Sequence, residues 1–221
     1  MADMNPRSVS CPSWLAVFLG ILLSLSSCRN DGYQTGDGPL SYLRADYVDM
    51  EGRSGLVTTI VTDEGVVLPF MAGLRMSATN DTIIRCLLYY SSPEDGTPVE
   101  ILSSKPVAVL LPVADSGIAS ADPVHLTSAW LARSGRYVNL QLGVMTGNDK
   151  PASASQQLQL NIDSISQVGR GHLYVSLRHD QGGVPQYYTE EVLLSIPMPQ
   201  QDSLTLDVNT YSGVVRRTFI R

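Results

Sequence analysis

Three histidines, His125, His172 and His179, are the side chains of this sequence best suited to act as bases or metal ligands. No His-Glu-x-x-His motif or cysteine pair accompanies them. His172 and His179 are seven residues apart, and on one strand an odd separation places two side chains on opposite faces. We therefore do not expect them to share a metal ion, and the sequence predicts no metal and no cofactor. His179-Asp180 is predicted to order a strand end and its turn.

Other catalytic patterns are also missing from the sequence. It contains no Gly-x-Ser-x-Gly nucleophile elbow and no phosphate-binding loop. Glu190 and Glu191 could mimic paired catalytic carboxylates, but neighbours on a strand point in opposite directions. We predict that the chain is not an enzyme. The alternative is a hydrolase with an unfamiliar site, built on His125 or His179 with a nearby acid.

Aromatic residues are the remaining candidates for contact with a ligand. The chain has ten tyrosines against three phenylalanines, and the polar-tipped tyrosine ring suits a surface that stacks on sugars or contacts a protein. We predict ligand contacts for Trp130, Tyr187 and Tyr188. The alternative for Trp130 is that it fills the space between two domains. The alternative for the tyrosine pair is that tyrosines merely suit strand faces.

Cys28 follows an apolar run at residues 14–25 and two serines. A short basic start, an apolar core, small residues and then cysteine resemble a bacterial lipoprotein signal with its lipobox. The resemblance implies cleavage before Cys28 and acylation of that thiol. About 12 apolar residues are too few for the roughly 20 that cross a bilayer core, so a retained transmembrane helix is not expected. A plain secretory signal is the alternative.

The expected order is therefore a signal peptide at 1–27 followed by a flexible tether at 28–39. The lipid on Cys28 would hold the protein at the cell envelope. The outer membrane is the expected location. The formal net charge of −6 argues against a nucleic-acid partner, because phosphate contacts need basic residues. Contact with the membrane should come from the lipid alone. Cys86 is left without a disulfide partner and is predicted to be a buried, inert thiol.

Residues 40–113 contain short β-branched runs without a helical period. The runs at 55–62 and 66–70 flank a short turn and predict a hairpin. Five such runs in roughly 70 residues predict a small OB-like barrel, closed or half-closed.

Residues 114–124 are small and turn-forming, and we interpret them as a linker. In residues 125–221 the alternation of apolar and polar residues is regular. Val138, Leu140, Leu142 and Val144 face one way, and similar alternation follows three more times. Strands with one polar face predict two antiparallel sheets packed face to face. The predicted class is all-β, a small OB-like barrel followed by an antiparallel β-sandwich.

Two passages of the C-terminal half resemble the NigD-like lipoproteins of Bacteroidetes. In 130–140 a tryptophan and a glycine turn precede a Tyr-x-Asn strand, and 173–180 ends with Leu-Arg-His-Asp. The resemblance implies a lipoprotein signal, an N-terminal OB-like domain and a C-terminal β-sandwich. It implies no established catalytic residues, and it links the chain only loosely to a bacteriocin-related locus.

These observations predict a lipid-anchored envelope protein that acts as a non-catalytic binding or assembly module. Its partner would be a protein or a cell-surface glycan. A bacteriocin-related role enters only through the family resemblance. An envelope hydrolase and a purely structural lipoprotein are the alternatives. A pocket with convergent polar groups around a histidine would favour the hydrolase.

Overall fold

A computed structural model describes residues 42–76, 81–92, 97–114, 117–149, 151–169 and 171–221. The predicted signal peptide, the tether and Cys28 lie outside the described residues. Residues 42–221 form one compact unit. No helix long and apolar enough to cross a membrane is found among the described residues.

The described residues fold into strands, which confirms the predicted all-β class. The strands are β1 (Leu43–Arg53), β2 (Leu56–Thr62), β3 (Thr82–Ser91), β4 (Glu100–Pro106), β5 (Ala108–Val109), β6 (Pro112–Val113), β7 (His125–Leu131), β8 (Tyr137–Thr146), β9 (Gln157–Ser166), β10 (His172–Asp180), β11 (Tyr188–Pro197), β12 (Ser203–Thr210) and β13 (Gly213–Ile220).

The first sheet has the strand order β2-β1-β3-β4, and its neighbours are antiparallel. A two-residue turn joins β1 to β2, with φ of 51° at Ser54 and 78° at Gly55. Positive φ at both central residues gives the twist that a tight hairpin requires. The sheet buries a small apolar cluster on one side, which includes Val48, Ile60 and Leu88.

This first sheet is open and not a closed barrel. In the described residues β2 and β4 are its edges, and no ladder joins them. The predicted strand at 66–70 makes only isolated bridges, Val61 with Val67 and Phe70 with Val99. Pro69 has no N–H to donate to a ladder, which limits how far this segment can pair.

The predicted β-sandwich is confirmed. A five-stranded sheet, β13-β12-β10-β9-β6, packs on a four-stranded sheet, β5-β11-β8-β7. The alternating residues of β8 lie in the shared core, where Val138, Leu140 and Leu142 are fully buried.

The sheets are mixed and not wholly antiparallel. β12 runs parallel to β10, β6 to β9 and β5 to β11. The chain passes from β10 to β11 in the other sheet and then returns to β12, and such a crossover makes the two strands parallel. Side chains alternate with the same period in both arrangements, so the sequence pattern could not distinguish them. β5 and β6, which precede the predicted linker, already pair with strands of the sandwich.

Candidate binding site at the junction of the sheets

Arg85 is the centre of a buried polar cluster, the Arg85 cluster, between the first sheet and the sandwich. It lies in the middle of β3 and is 4% exposed. Its Nη1 donates to Asp49 Oδ1 at 3.1 Å, and its Nη2 donates to both carboxylate oxygens of Asp63 at 2.7 and 2.8 Å. Asp49 is the direct cross-strand neighbour of Arg85, and Asp63 follows the end of β2. The cluster therefore begins within the first sheet.

The other half of the Arg85 cluster comes from the sandwich. Arg85 Nε donates to Ser195 Oγ at 2.9 Å, and Nη2 donates to Asn139 Oδ1 at 3.0 Å. Asn139 and Ser195 are paired residues of β8 and β11. Asn139 Nδ2 in turn donates to Asp63 Oδ2 at 2.6 Å. Charge-assisted bonds of this kind are stronger than neutral ones, so the cluster links the two parts of the protein.

Cations and carboxylates balance in this cluster. Arg136 Nη1 lies 2.8 Å from the second oxygen of Asp49, so two arginines face two aspartates. The guanidinium carbon of Arg85 also lies 3.8 Å from the centroid of the Tyr137 ring, a cation–π contact. A buried charge is costly unless it is paired and hydrogen-bonded, and here both conditions are met.

Burial also keeps the nearby phenol and thiol groups protonated. It raises the pKa of Tyr47 to about 12, with the carboxylate of Glu191 adding to the effect. Burial is likewise the largest cause of the raised pKa of Tyr137, and it raises the pKa of the Cys86 thiol to about 11. The prediction of a buried thiol at Cys86 is confirmed.

Trp130 lines a cleft beside the Arg85 cluster. We call this cleft the Trp130 cleft. The residue is 36% exposed, and its ring meets Tyr47 edge to face, with 5.4 Å between ring centroids. The cavity has a volume of about 330 Å³, and residues of β1, β3 and β7 line it. Asp63 and Glu64 are acidic lining residues on the side of Tyr47, whereas the carboxylate of Asp46, also in the lining, accepts a hydrogen bond from the Tyr90 hydroxyl at 2.6 Å. Trp130 is thus partly exposed, and both its predicted ligand contact and the alternative that it fills the space between two domains stay predictions.

Tyr187 and Tyr188 lie elsewhere. Tyr187 is 71% exposed, and the Tyr188 hydroxyl donates to Asn148 Oδ1 at 2.6 Å. Tyr188 pairs with Thr146 of β8, whereas Trp130 pairs with Asn139 of the same strand. Seven residues of strand correspond to roughly 23 Å at about 3.3 Å per residue. The three predicted contact residues thus do not form one surface, and their role stays a prediction.

The histidines occupy three different environments. His172 Nδ1 and Nε2 lie 2.6 Å from Ser203 Oγ and 2.8 Å from Thr205 Oγ1. His179 is on the opposite, core-facing side of β10, and neither of its ring nitrogens has a hydrogen-bond partner among the described residues. His125 stacks on Tyr211. No group of three potential metal ligands occurs in the described part of the chain.

The predicted turn-ordering role holds for Asp180 and is wrong for the imidazole of His179. Asp180 Oδ1 accepts a hydrogen bond from Gly182 N at 2.9 Å. The His179 side chain instead continues the inward alternation of Val175 and Leu177 and is 2% exposed. Strand alternation decides its orientation, because the core-facing side of β10 extends almost to the end of the strand.

Sequence reasoning missed the Arg85 cluster. The available signal was an arginine inside the apolar run 83–88, because such a charge requires buried partners. Two other members, Tyr137 and Asn139, belong to the Tyr-x-Asn motif. The structure gives that motif a physical role, since both residues contact the Arg85 guanidinium.

Solved structures with the same fold are known. No protein-family model matches the sequence, and no curated protein matches it. A NigD-like immunity protein from Bacteroides caccae superimposes with a TM-score of 0.60 at 20% identity, over 80% of this chain and 97% of that one. The chain has the fold of this NigD-like protein. The resemblance inferred from the sequence is thereby confirmed at the level of the fold.

Two further solved structures share this fold. A provisionally assigned toxin-related protein from Parabacteroides distasonis gives a TM-score of 0.58 at 14% identity, over 81% of this chain and 92% of that one. A provisionally assigned lipoprotein from Bacteroides fragilis gives 0.56 at 12% identity, over 80% and 96%. Identities this low establish the fold and not the activity.

Proposed function

We propose that this chain is a lipid-anchored protein of the cell envelope that acts as a non-catalytic binding module through the Trp130 cleft. The observation that carries the proposal is a partly exposed Trp130–Tyr47 pair at the mouth of a cavity of about 330 Å³. One lining residue, Asp63, belongs to the buried Arg85 cluster. A rigid aromatic anchor in a preformed cleft is typical of binding surfaces.

The anchor in this proposal is the acylated thiol of Cys28. The order of residues before it supports this, as does the shared fold with a provisionally assigned lipoprotein. A Cys28→Ala variant should leave the membrane fraction, whereas Cys86→Ala should stay in it. Retention of Cys28→Ala in the membrane fraction would contradict the anchor.

The charge of the cleft favours a basic protein or peptide as the partner. Glu64 lines the cleft beside Asp63, and its carboxylate lies 3.0 Å from the guanidinium of the exposed Arg133. An exposed ion pair is weak, so an incoming arginine or lysine can replace Arg133. Its cation would then also meet the Trp130 ring, a contact of about 0.5–2 kcal/mol. A role in immunity to a bacteriocin-like peptide fits this chemistry and the shared fold with a NigD-like immunity protein.

Tryptophan fluorescence tests this proposal directly. Trp14 belongs to the predicted signal, so Trp130 is the sole tryptophan of the processed chain. An arginine-rich peptide should change its emission to saturation, and a glutamate-rich peptide of the same length should not. Glu64→Gln should weaken the response, while the exposed Glu190→Gln serves as the matched control. Equal responses to the two peptides, or none to either, would overturn the proposal.

The hydrolase alternative is favoured by one observation, the polar pocket at His125. Ser128, Ser212 and Arg217 line this pocket with His125. None of its described lining residues is an aspartate or glutamate, so a histidine with a supporting acid is not assembled. Turnover of chromogenic esters or glycosides that disappears in His125→Ala would establish this alternative and contradict the non-catalytic proposal.

A further inference from the structure

The pocket at His125, which we call the β7–β13 pocket, lies where two edge strands of the sandwich meet. β7 is the edge of the four-stranded sheet and β13 the edge of the five-stranded sheet, and the two strands contact each other. The cavity between them has a volume of about 350 Å³. It is lined by residues of β7 and of the segment 210–217.

Arg217 is a cation without an anionic partner among the described residues of this pocket. It alternates with Phe219, which is buried in the sandwich core, so its side chain starts on the inner face of β13. Its one side-chain hydrogen bond among the described residues goes from Nη1 to the carbonyl of Arg216 at 3.2 Å. Arg216, on the outer face, is bound to Asp207 through two bonds of 2.7 Å. The two neighbouring arginines therefore differ in being paired or available.

An inward charge on an edge strand also discourages pairing between sheets of different molecules, so Arg217 alone does not define a site. The second feature is an aromatic platform. Tyr211 is 48% exposed, and its ring stacks on His125, with 4.5 Å between ring centroids and 29° between planes. The hydroxyl of Thr210 holds the turn that presents this ring, since it donates to the carbonyl of Gly213 at 2.6 Å and accepts from Ser212 N at 3.2 Å.

The Ser128 hydroxyl, with Arg217 and Tyr211, gives the pocket a set of groups that suits an acidic sugar. Ser128 Oγ donates to Gln141 Oε1 at 3.1 Å and keeps lone pairs for an incoming hydroxyl. A guanidinium binds a carboxylate through two parallel bonds, and an aromatic ring offers an apolar face to a sugar ring. A simple anion would use Arg217 but not the Tyr211 platform. The volume is at the lower end of ligand sites, which suits one or two sugar rings.

We propose that the β7–β13 pocket binds a uronic acid residue of a glycan, with Arg217 on its carboxylate and Tyr211 under its ring. This site is separate from the Trp130 cleft and does not depend on the function proposed for it. The proposed ligand is a carbohydrate. Its cavity offers an arginine beside an exposed aromatic ring, although the protein as a whole is acidic.

Titration calorimetry of the purified protein with D-glucuronic acid and a glucuronate-containing disaccharide tests this site. Both should bind, and D-glucose, acetate and inorganic phosphate should bind at least tenfold more weakly. Arg217→Gln should weaken glucuronate binding about tenfold or more, because it removes the charge-assisted hydrogen bonds to the carboxylate. Arg216→Gln is the matched control and should leave the affinity unchanged. Tyr211→Ala should weaken the sugar acid more than it weakens acetate.

Four results would overturn the proposal. Three of them are glucose binding as tightly as glucuronate, phosphate or acetate binding as tightly as glucuronate, and glucuronate binding that survives Arg217→Gln. The fourth is an absence of any heat of binding with glucuronate. Trp130→Ala should retain glucuronate binding, so failure at this pocket and failure at the Trp130 cleft can be told apart.

Discussion

Arg85 and Arg217 are both arginines on strands beside an apolar core, yet they have opposite surroundings. Arg85 is 4% exposed and bonded to side chains from both parts of the protein. Arg217 is exposed and donates only to a backbone carbonyl among the described residues. A polar group satisfied inside the protein contributes to the fold, whereas a polar group left available can serve a ligand. The comparison therefore assigns a structural role to Arg85 and agrees with the ligand contact proposed for Arg217.

Replacement of Arg85 should have the largest effect on stability. Arg85→Leu would leave the carboxylates of Asp49 and Asp63 buried with fewer partners, which costs about 3–5 kcal/mol when one member of a buried pair is removed. Urea denaturation measures this loss. Arg216→Gln breaks an exposed pair with Asp207 and should change the free energy of unfolding far less, because exposed ion pairs contribute little. A loss below about 1 kcal/mol in Arg85→Leu would remove the contrast between Arg85 and Arg217.

Core substitutions on each side of the Arg85 cluster should have the next largest effect. Leu88 in the first sheet and Leu140 in the sandwich are both fully buried. Replacement of either by alanine should cost about 2–5 kcal/mol. Because the cluster couples the two parts, we expect each variant to lower one shared thermal transition, as measured by circular dichroism. A separate early transition in Leu88→Ala would indicate that the first sheet unfolds independently.

Alkaline pH should weaken the junction between the sheets. Burial raises the pKa of Tyr47 from its ordinary value of 10.0 to about 12, so the folded protein holds this proton more tightly than the unfolded chain does. The stabilisation is complete below about pH 10 and is lost as the pH rises towards about 12. The free energy of unfolding measured across this range should fall less steeply in Tyr47→Phe. An unchanged slope in that variant would contradict a role for Tyr47.

Replacement of Arg217 should have the smallest effect on stability. Arg217→Gln removes an exposed charge that has no anionic partner among the described residues, so the free energy of unfolding should change by about 0.5 kcal/mol or less. The same urea series that measures Arg85→Leu measures this change. A loss comparable with that of Arg85→Leu would mean that Arg217 is structural and not a ligand contact.

Local sequence patterns predicted the sandwich well and the junction poorly. Val138, Leu140 and Leu142 alternate with polar residues because β8 has one face in the core, and that period is visible in the sequence. Arg85 bonds to Ser195 across 110 positions of sequence, and such long-range pairing leaves no local pattern. The first sheet stays open because residues 66–70 form only isolated bridges with their neighbours. The β-branched composition of this segment does not show how far it will pair.

One candidate site could be predicted in part from the sequence, and the other could not. Trp130 could be chosen from its type and its place after the linker, and it does line a cleft. Tyr211 and Arg217 give no signal in sequence, because only the meeting of β7 and β13 brings them to His125. The lipid site at Cys28 could be predicted from the order of the residues before it.

Differential scanning calorimetry of the wild type and Arg85→Leu tests most directly whether the Arg85 cluster joins the first sheet and the sandwich into one cooperative unit. The wild type should unfold in one transition whose calorimetric and van 't Hoff enthalpies agree, and Arg85→Leu should show two transitions. Two transitions in the wild type, or a single transition at an unchanged temperature in the variant, would contradict the coupling.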